Sequence, residues 1–256
     1  MHAAGSSALS FAALASKLKG SHTVVAFDWR GHGGHSREDE MNLSADVLIQ
    51  DTFEVLSYVR TKYPERSIII IGHAMGGAIA TKTLRQIDAE MGESELQKSI
   101  QALFVIDITD GIAKDALPHM EEVIGNRPTF FPDQLSVVRY TVMSKIVRNK
   151  HSAAVSAPDL VVQTQDPLSG EQKYVWRTDL SATVPFWDQW FSEFNAIYLG
   201  LTTRKWLMLS DMGNLDNELY GQAEAGKFTP AGIPNVGHFM HEDSPDKFAQ
   251  AVLGSL

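Results

Sequence analysis

The stretch IIIIGHAMGGAIA, residues 68–80, decides how this chain is read. It opens as a continuous β-branched run, the pattern of a strand buried on both faces, and passes without a spacer into a helical composition. At the junction, Gly72-His73-Ala74-Met75-Gly76 has the frame of a G-x-S-x-G nucleophile elbow, with alanine where the frame has serine. An elbow projects one side chain from a sharp strand-to-helix turn, and small residues two positions to either side let the backbone pass close to its neighbours. Gly72, Gly76 and Gly77 provide that room. A helix opening at Met75 also aims backbone N–H groups at the same point, where they can stabilise an oxyanion. The frame alone is ambiguous, because any parallel strand entering a helix can carry glycines, so its surroundings decide.

Three other runs share the buried-strand character: TVVAFDW (23–29), ALFVIDI (102–108) and KWLMLS (205–210). Between the first of these and the elbow strand, Val47, Leu48, Asp51, Val55, Tyr58 and Val59 keep a helical period from a Ser44 cap to a stop at Pro64. Strand alternating with helix predicts an α/β fold, a mostly parallel, doubly wound sheet in a single domain. From about residue 114 to 200 the strand signal gives way to helical, aromatic and polar sequence, which predicts a helical cap or lid inserted between two core strands. KFTPAGI (227–233) is the last candidate strand. The opening residues, MHAAGSSALSFAALASKLKG, lack a basic n-region and are interrupted by polar residues. They predict an amphipathic helix with Leu9, Phe11, Leu14 and Leu18 on one face rather than a signal peptide.

Composition narrows the function classes. The chain has 256 residues, 44% of them hydrophobic and 21% charged, enough to bury a full core. Lys and Arg total 22 against 31 Asp and Glu, a formal charge of -9 that argues against nucleic acid as a partner. The absence of cysteine excludes disulfides and thiolate metal sites and is compatible with a reducing compartment. No run approaches the ~20 apolar residues of a membrane span.

Chemistry-bearing residues cluster around the elbow in sequence order. Upstream, DWRGHGGHS (28–36) follows a predicted strand, and Asp28, Arg30, Gly31 and Gly33 are expected to build a turn with an internal carboxylate–guanidinium pair. His32 and His35 raise the question of a metal, but no further cluster with ligand spacing completes a site. Downstream, Gly237-His238 falls after the last strand and before a terminal helix, where a general base is held, while His241 is expected in solvent. The order of elbow, acid and histidine is that of such hydrolases. Three acids are available, Asp107 after the third strand run and Asp211 and Asp216 after the fourth. Spacing leaves Asp107 and Asp216 comparable.

Together these segments resemble one family, the protein phosphatase methylesterases, which are serine hydrolases of the α/β-hydrolase fold. The resemblance is carried by SSALSF, IGHAMGGAIA, IDITDG with DAL following, WRTDL leading into FWDQWF, GKF, and GHFMHEDSPDK, from about residue 5 to the end. It implies Ala74 at the nucleophile position, Asp107 as acid, His238 as base, and oxyanion N–H groups from Ala4 and Met75. It further implies removal of the methyl ester from the carboxyl-terminal leucine of the type 2A protein phosphatase catalytic subunit, with that subunit as partner, no metal or organic cofactor, and a cytoplasmic or nuclear setting. The aromatic segment VPFWDQWFSEFNAIY spaces Phe186, Trp187, Trp190, Phe191, Phe194 and Tyr198 at helical steps. It reads as a cap helix packed on the core, or, at Trp187 and Trp190, as part of a groove for the phosphatase tail.

Three departures from the family pattern follow. A methyl group at Ala74 cannot form an acyl-enzyme, so the chain is expected to be inactive. Ala3 stands where the family has glycine, and a Cβ there strains the loop if φ is positive. Met1 falls at this loop, so the strand expected between the one bearing Asp28 and the elbow strand is missing, and those two should stand about 9–10 Å apart across a gap. Three readings result: a methylesterase silenced at Ala74, a non-catalytic protein that binds the phosphatase, and a general carboxylesterase for small esters.

Overall fold

The apolar runs become a parallel sheet in the computed structural model, which describes residues 1–34, 41–90, 92, 94–166 and 170–255. Along the chain come α1 (Ala12–Leu18), α2 (Ala45–Lys62), β1 (Ile68–His73), α3 (Met75–Glu90), α4 (Glu95–Ser99) and β2 (Ile100–Ile106). A long excursion then carries α5 (Asp110–Gly125), α6 (Gln134–Met143), α7 (Lys150–Ser156), β3 (Val161–Gln165), β4 (Gln172–Trp176), α8 (Trp187–Phe191) and α9 (Phe194–Gly200). The chain returns through β5 (Arg204–Leu209), α10 (Asn217–Glu224), β6 (Thr229–Gly232), α11 (Met240–Asp243) and α12 (Pro245–Gly254). The main sheet has the order β1-β2-β5-β6, with every neighbouring pair parallel. None of the helices among the described residues is long and apolar enough to cross a membrane.

Burial on both faces explains why these strands read as unbroken apolar runs. Leu103, Val105, Leu207 and Leu209 pack on one side with Ala78, Leu84, Phe194 and Tyr198. Ala102, Phe104, Ile106, Trp206 and Met208 pack on the other with Phe11, Leu14, Leu18 and Phe248. Phe104 and Trp206 are register partners on adjacent strands, and their rings stack with centroids 4.7 Å apart. Helices therefore cover both faces, as the period-two alternation of side chains on a central strand requires.

Four local expectations are corrected. Residues 23–29 form no strand: strand structure needs a hydrogen-bonding neighbour, and among the described residues nothing pairs with this segment as a ladder. The excursion is not wholly helical, because β3 and β4 form a short antiparallel hairpin. Leu9 precedes α1 and points outward at 42% exposure, whereas Phe11, Leu14 and Leu18 are buried. Ser44 does occupy the N-cap position of α2, but its hydroxyl makes no cap bond, and Ala45 N–H donates instead to Gln189 Oε1 at 3.3 Å.

As expected, residues 23–29 and β1 do not pair directly. Segment 23–27, residues 68–71, Phe11, Leu14 and Leu18 all line a cavity of about 310 Å³. Met1 lines it too: its backbone nitrogen donates to Ile71 O at 2.8 Å, and His73 N–H donates to Met1 O at 3.0 Å. The walls are mainly aliphatic and aromatic, so the cavity is expected to take up an apolar dye. Adding 1-anilinonaphthalene-8-sulfonate to the native chain without denaturant should give enhanced, saturable fluorescence, and Ile69→Asp, which charges the wall, should remove it. Fluorescence no higher than in buffer would contradict an open apolar cavity.

Candidate active site

The site is built where β1 becomes α3. His73 ends the strand, Met75 begins the helix, and Ala74 alone makes the turn with φ +45°, a left-handed conformation costly for any residue with a Cβ. Its N–H donates to Ile106 O at 2.9 Å, which fastens the turn to the end of β2. The turn needs its glycines. A Cβ at Gly72 would stand 2.6 Å from the Gly76 carbonyl, and one at Gly76 would stand 2.6 Å and 2.7 Å from the carbonyls of Met1 and His2. That close approach also seats residues 1–4 on the first turn of α3, beside Met75, whose N–H as the first of the helix has no carbonyl a turn earlier.

The loop carrying Ala4 is anchored by histidines. His2 Nε2 accepts Trp29 N–H at 3.2 Å, and its carbonyl accepts the Trp29 indole N–H at 2.9 Å. His32 Nδ1 lies 2.9 Å from Arg30 O and its Nε2 accepts Gly5 N–H at 2.9 Å, so both ring nitrogens are engaged within the protein. His35 lies outside the described residues. The feared strain at Ala3 does not arise, because the left-handed position of this loop falls on Gly5, φ +71°, and Ala3 is buried with φ outside that region. The expected pairing of Asp28 with Arg30 is also corrected. Arg30 makes a bidentate pair with Asp51 of α2, both bonds 2.7 Å, while Asp28 accepts from Ala8 N–H at 2.7 Å and Gly34 N–H at 3.0 Å.

Of the three candidate acids, the structure brings one to the histidine. Asp107 follows β2 with φ +53°, and its Oδ2 lies 2.8 Å from His238 Nδ1. Asp211 caps the turn after β5 by accepting Gly213 N–H at 2.8 Å, and Asp216 caps α10 by accepting Leu219 N–H at 2.9 Å. The loop bearing His238 is held by Asp243, whose carboxylate accepts Gly237 N–H at 2.7 Å and Arg148 N–H at 2.6 Å. Beneath His238 lies His73, ring centroids 4.4 Å apart, and next to His73 lies His241 at 4.9 Å. His241 is not in solvent as expected; it is fully buried and stacked on Phe11 at 4.5 Å. Burial lowers the pKa of His241 to about 3 and holds that of His73 well below the usual value, so both rings stay neutral.

Trp187 and Trp190 lie in the core. They pack with Trp29, Leu43, Met75 and Ile79, and their indole N–H groups donate inward, to Thr183 Oγ1 at 2.9 Å and Leu43 O at 2.7 Å. Trp190 is inaccessible and Trp187 is 8% exposed, so both indoles brace the helix that opens at the elbow.

The structure thus sets a left-handed residue between a parallel strand and a helix, with a carboxylate–imidazole pair from later in the chain near it. A model of the alpha/beta hydrolase family matches residues 1–251. Protein phosphatase methylesterase 1 of Aspergillus fumigatus is 35% identical over 98% of this chain, and that of Schizosaccharomyces pombe is 33% identical over 98%. The chain belongs to the α/β-hydrolase family and, within it, to the protein phosphatase methylesterases. It spans 61% of the length of the Aspergillus relative and 72% of the Schizosaccharomyces one. Among solved structures, an E-2-(acetamidomethylene)succinate hydrolase superposes with a TM-score of 0.77 at 18% identity, covering 99% of this chain and 88% of its own, a likeness of fold.

Several residues around the site are given no role by the sequence: Ser210, Asp243, Asp51 and Glu242. Glu242 is buried in α11, where its Oε2 lies 2.5 Å from Ser156 Oγ, and its carbonyl accepts Ser152 Oγ–H at 2.7 Å, joining α7 to the His238 loop. Burial, with the nearby Asp243 charge, pushes the Glu242 carboxyl up to about 8. A folded pKa above the unfolded 4.5 means the native state holds this proton more tightly. The stability contributed is complete below about 4.5 and is lost as pH rises through about 8. The buried histidines act oppositely, but only as pH falls below the usual 6.5. The Met1 ammonium, whose pKa burial lowers from 8.0 to about 5, adds stability as pH rises through the same window and opposes Glu242. The contribution of Glu242 is therefore read as a difference: between pH 6.5 and 8, Glu242→Gln should make the change of Tm with pH more positive than in the parent. An unchanged slope in that variant would remove Glu242 as the cause.

Proposed function

We propose that this scaffold is a carboxylesterase for the methyl ester on the carboxyl-terminal leucine of the type 2A protein phosphatase catalytic subunit, and that Ala74 leaves it able to bind but not to turn over. What supports the reading is the pairing of Asp107 with His238 beside the Ala74 elbow in a chain of the methylesterase family. With a hydroxyl at position 74, His238 takes its proton as it attacks the ester carbonyl, and Asp107 orients the imidazole through Nδ1. The Met75 and Ala4 N–H groups receive the developing oxyanion, methanol leaves with the proton returned by His238, and water repeats the sequence. No step calls for a metal or an organic cofactor. The setting is cytoplasmic or nuclear, where the phosphatase subunit is the partner.

The intact acid–base pair beside a methyl group also fits the second reading, a silent protein that occupies the phosphatase tail. The two share one test. Carboxymethylated type 2A catalytic subunit should bind the chain as given with micromolar or tighter affinity by calorimetry, and its methyl ester should survive hours of incubation. Failure to bind, with the chain shown folded by circular dichroism, would overturn both and leave a general carboxylesterase for small esters as the remaining reading.

A further inference from the structure

We propose that Ser210 is a positioning residue, the group that fixes the plane of the Asp107 carboxylate so that Oδ2 alone meets His238; the inference rests on the esterase reading for its catalytic consequence. Ser210 directly follows β5, the strand beside the one that delivers Asp107. Its N–H donates to Asp107 Oδ1 at 2.8 Å, and its hydroxyl lies 2.9 Å from both Oδ1 and Oδ2. His238 Nδ1 takes the remaining direction at Oδ2.

The need for such a fork follows from the torsion involved. Rotation of an Asp carboxylate about its last bond is broad and roughly two-fold, so a single imidazole partner does not define which oxygen it meets or at what angle. Two donors from one residue, one of them backbone on a buried strand end, define the plane. Asp107 Cα is fixed in turn, because its N–H donates to Met208 O at 2.8 Å and extends the β2–β5 register past the last paired residues. Among the described residues no Lys or Arg pairs with this carboxylate, whose side chain is 6% exposed, and its polar side-chain partners are Ser210 and His238. Asp211, one position on, directs its carboxylate to its own turn. Ser210 thus occupies the end of the strand where the sequence also offered acids, and orients the acid of the neighbouring strand.

The test separates positioning from mere support of the β5 end. In the chain as given, the His238 Nδ1–H proton should give a downfield nuclear magnetic resonance, assigned by its absence in His238→Gln. Ser210→Ala should broaden or remove it, and Ser210→Thr, which keeps the hydroxyl, should retain it. In the Ala74→Ser background, Ser210→Ala should lower kcat roughly 10-fold, the scale of one hydrogen bond to a charged group, with KM within about two-fold. Ser210→Thr should recover most of the loss. An unchanged resonance with unchanged kcat in folded Ser210→Ala overturns the inference. If the Ala74→Ser protein is inactive but Ser210→Ala still removes the resonance, the esterase reading fails and the positioning stands. If it is inactive and the resonance is unchanged, both fail.

Discussion

Ala74→Ser is expected to raise hydrolysis of a small soluble ester such as p-nitrophenyl acetate from background by a factor approaching 10⁶, the scale of loss when a serine hydrolase is stripped of its nucleophile. The size of the effect follows from how little else must change. Position 74 already holds the left-handed turn, φ +45°, that an elbow nucleophile requires, and its N–H is already fastened to Ile106 O. The glycines that tolerate the turn are in place, and a Cβ at either Gly72 or Gly76 would collide with backbone. Serine adds one oxygen to an existing Cβ. His238 presents its Nδ1 to Asp107, which leaves Nε2 for the new hydroxyl, and 46% of its side chain remains exposed to an incoming substrate. Labelling by a fluorophosphonate should appear in the same variant and be absent from the chain as given. A folded Ala74→Ser protein that neither hydrolyses nor labels would mean that the geometry around the elbow does not support acyl transfer.

The second large effect is Asp107→Asn in the repaired background. An amide that offers N–H to His238 Nδ1 stabilises the wrong imidazole tautomer, and in a serine protease the equivalent change costs about 10⁴ in kcat. A loss of about that size is expected here, with KM little affected. Asp216→Asn in the same background should stay within a few-fold of the repaired enzyme, because Asp216 caps α10 and accepts from Asn195 Nδ2 at 2.8 Å, away from the imidazole. Reversal of the two results would move the acid to α10 and break the assignment of Asp107.

How much of this was legible beforehand depends on whether the determining interaction is local. The strands at 68–73, 100–106 and 204–209 announce themselves because each is buried on both faces, so nearly every position is apolar. Residues 23–29 carry the same composition and form no strand, since pairing is a property of two segments and, among the described residues, none pairs with this one as a ladder. The β3–β4 hairpin leaves no strand signal because its strands mix polar with apolar positions and each has 5 residues. The elbow was legible because glycine spacing is local, and Asp107 was not separable from Asp216 by spacing because the choice is made by a contact spanning 131 residues. Arg30 illustrates the same limit: its nearest acid in sequence is Asp28, yet its partner comes from α2, where a helix turn brings Asp51 alongside. His241 looked solvated beside Glu242 and Asp243, but α11 turns all of them inward against α1, α7 and α12.

The measurement that bears most directly on the central claim is methyl release from carboxymethylated type 2A phosphatase catalytic subunit, run with the chain as given, with Ala74→Ser, and with Ala74→Ser combined with His238→Ala, each shown to be folded. We expect no release from the first, turnover from the second, and loss of that turnover in the third. A folded Ala74→Ser protein that hydrolyses small esters but leaves the phosphatase methyl ester intact would contradict the assigned substrate, and one that hydrolyses neither would contradict the assigned site.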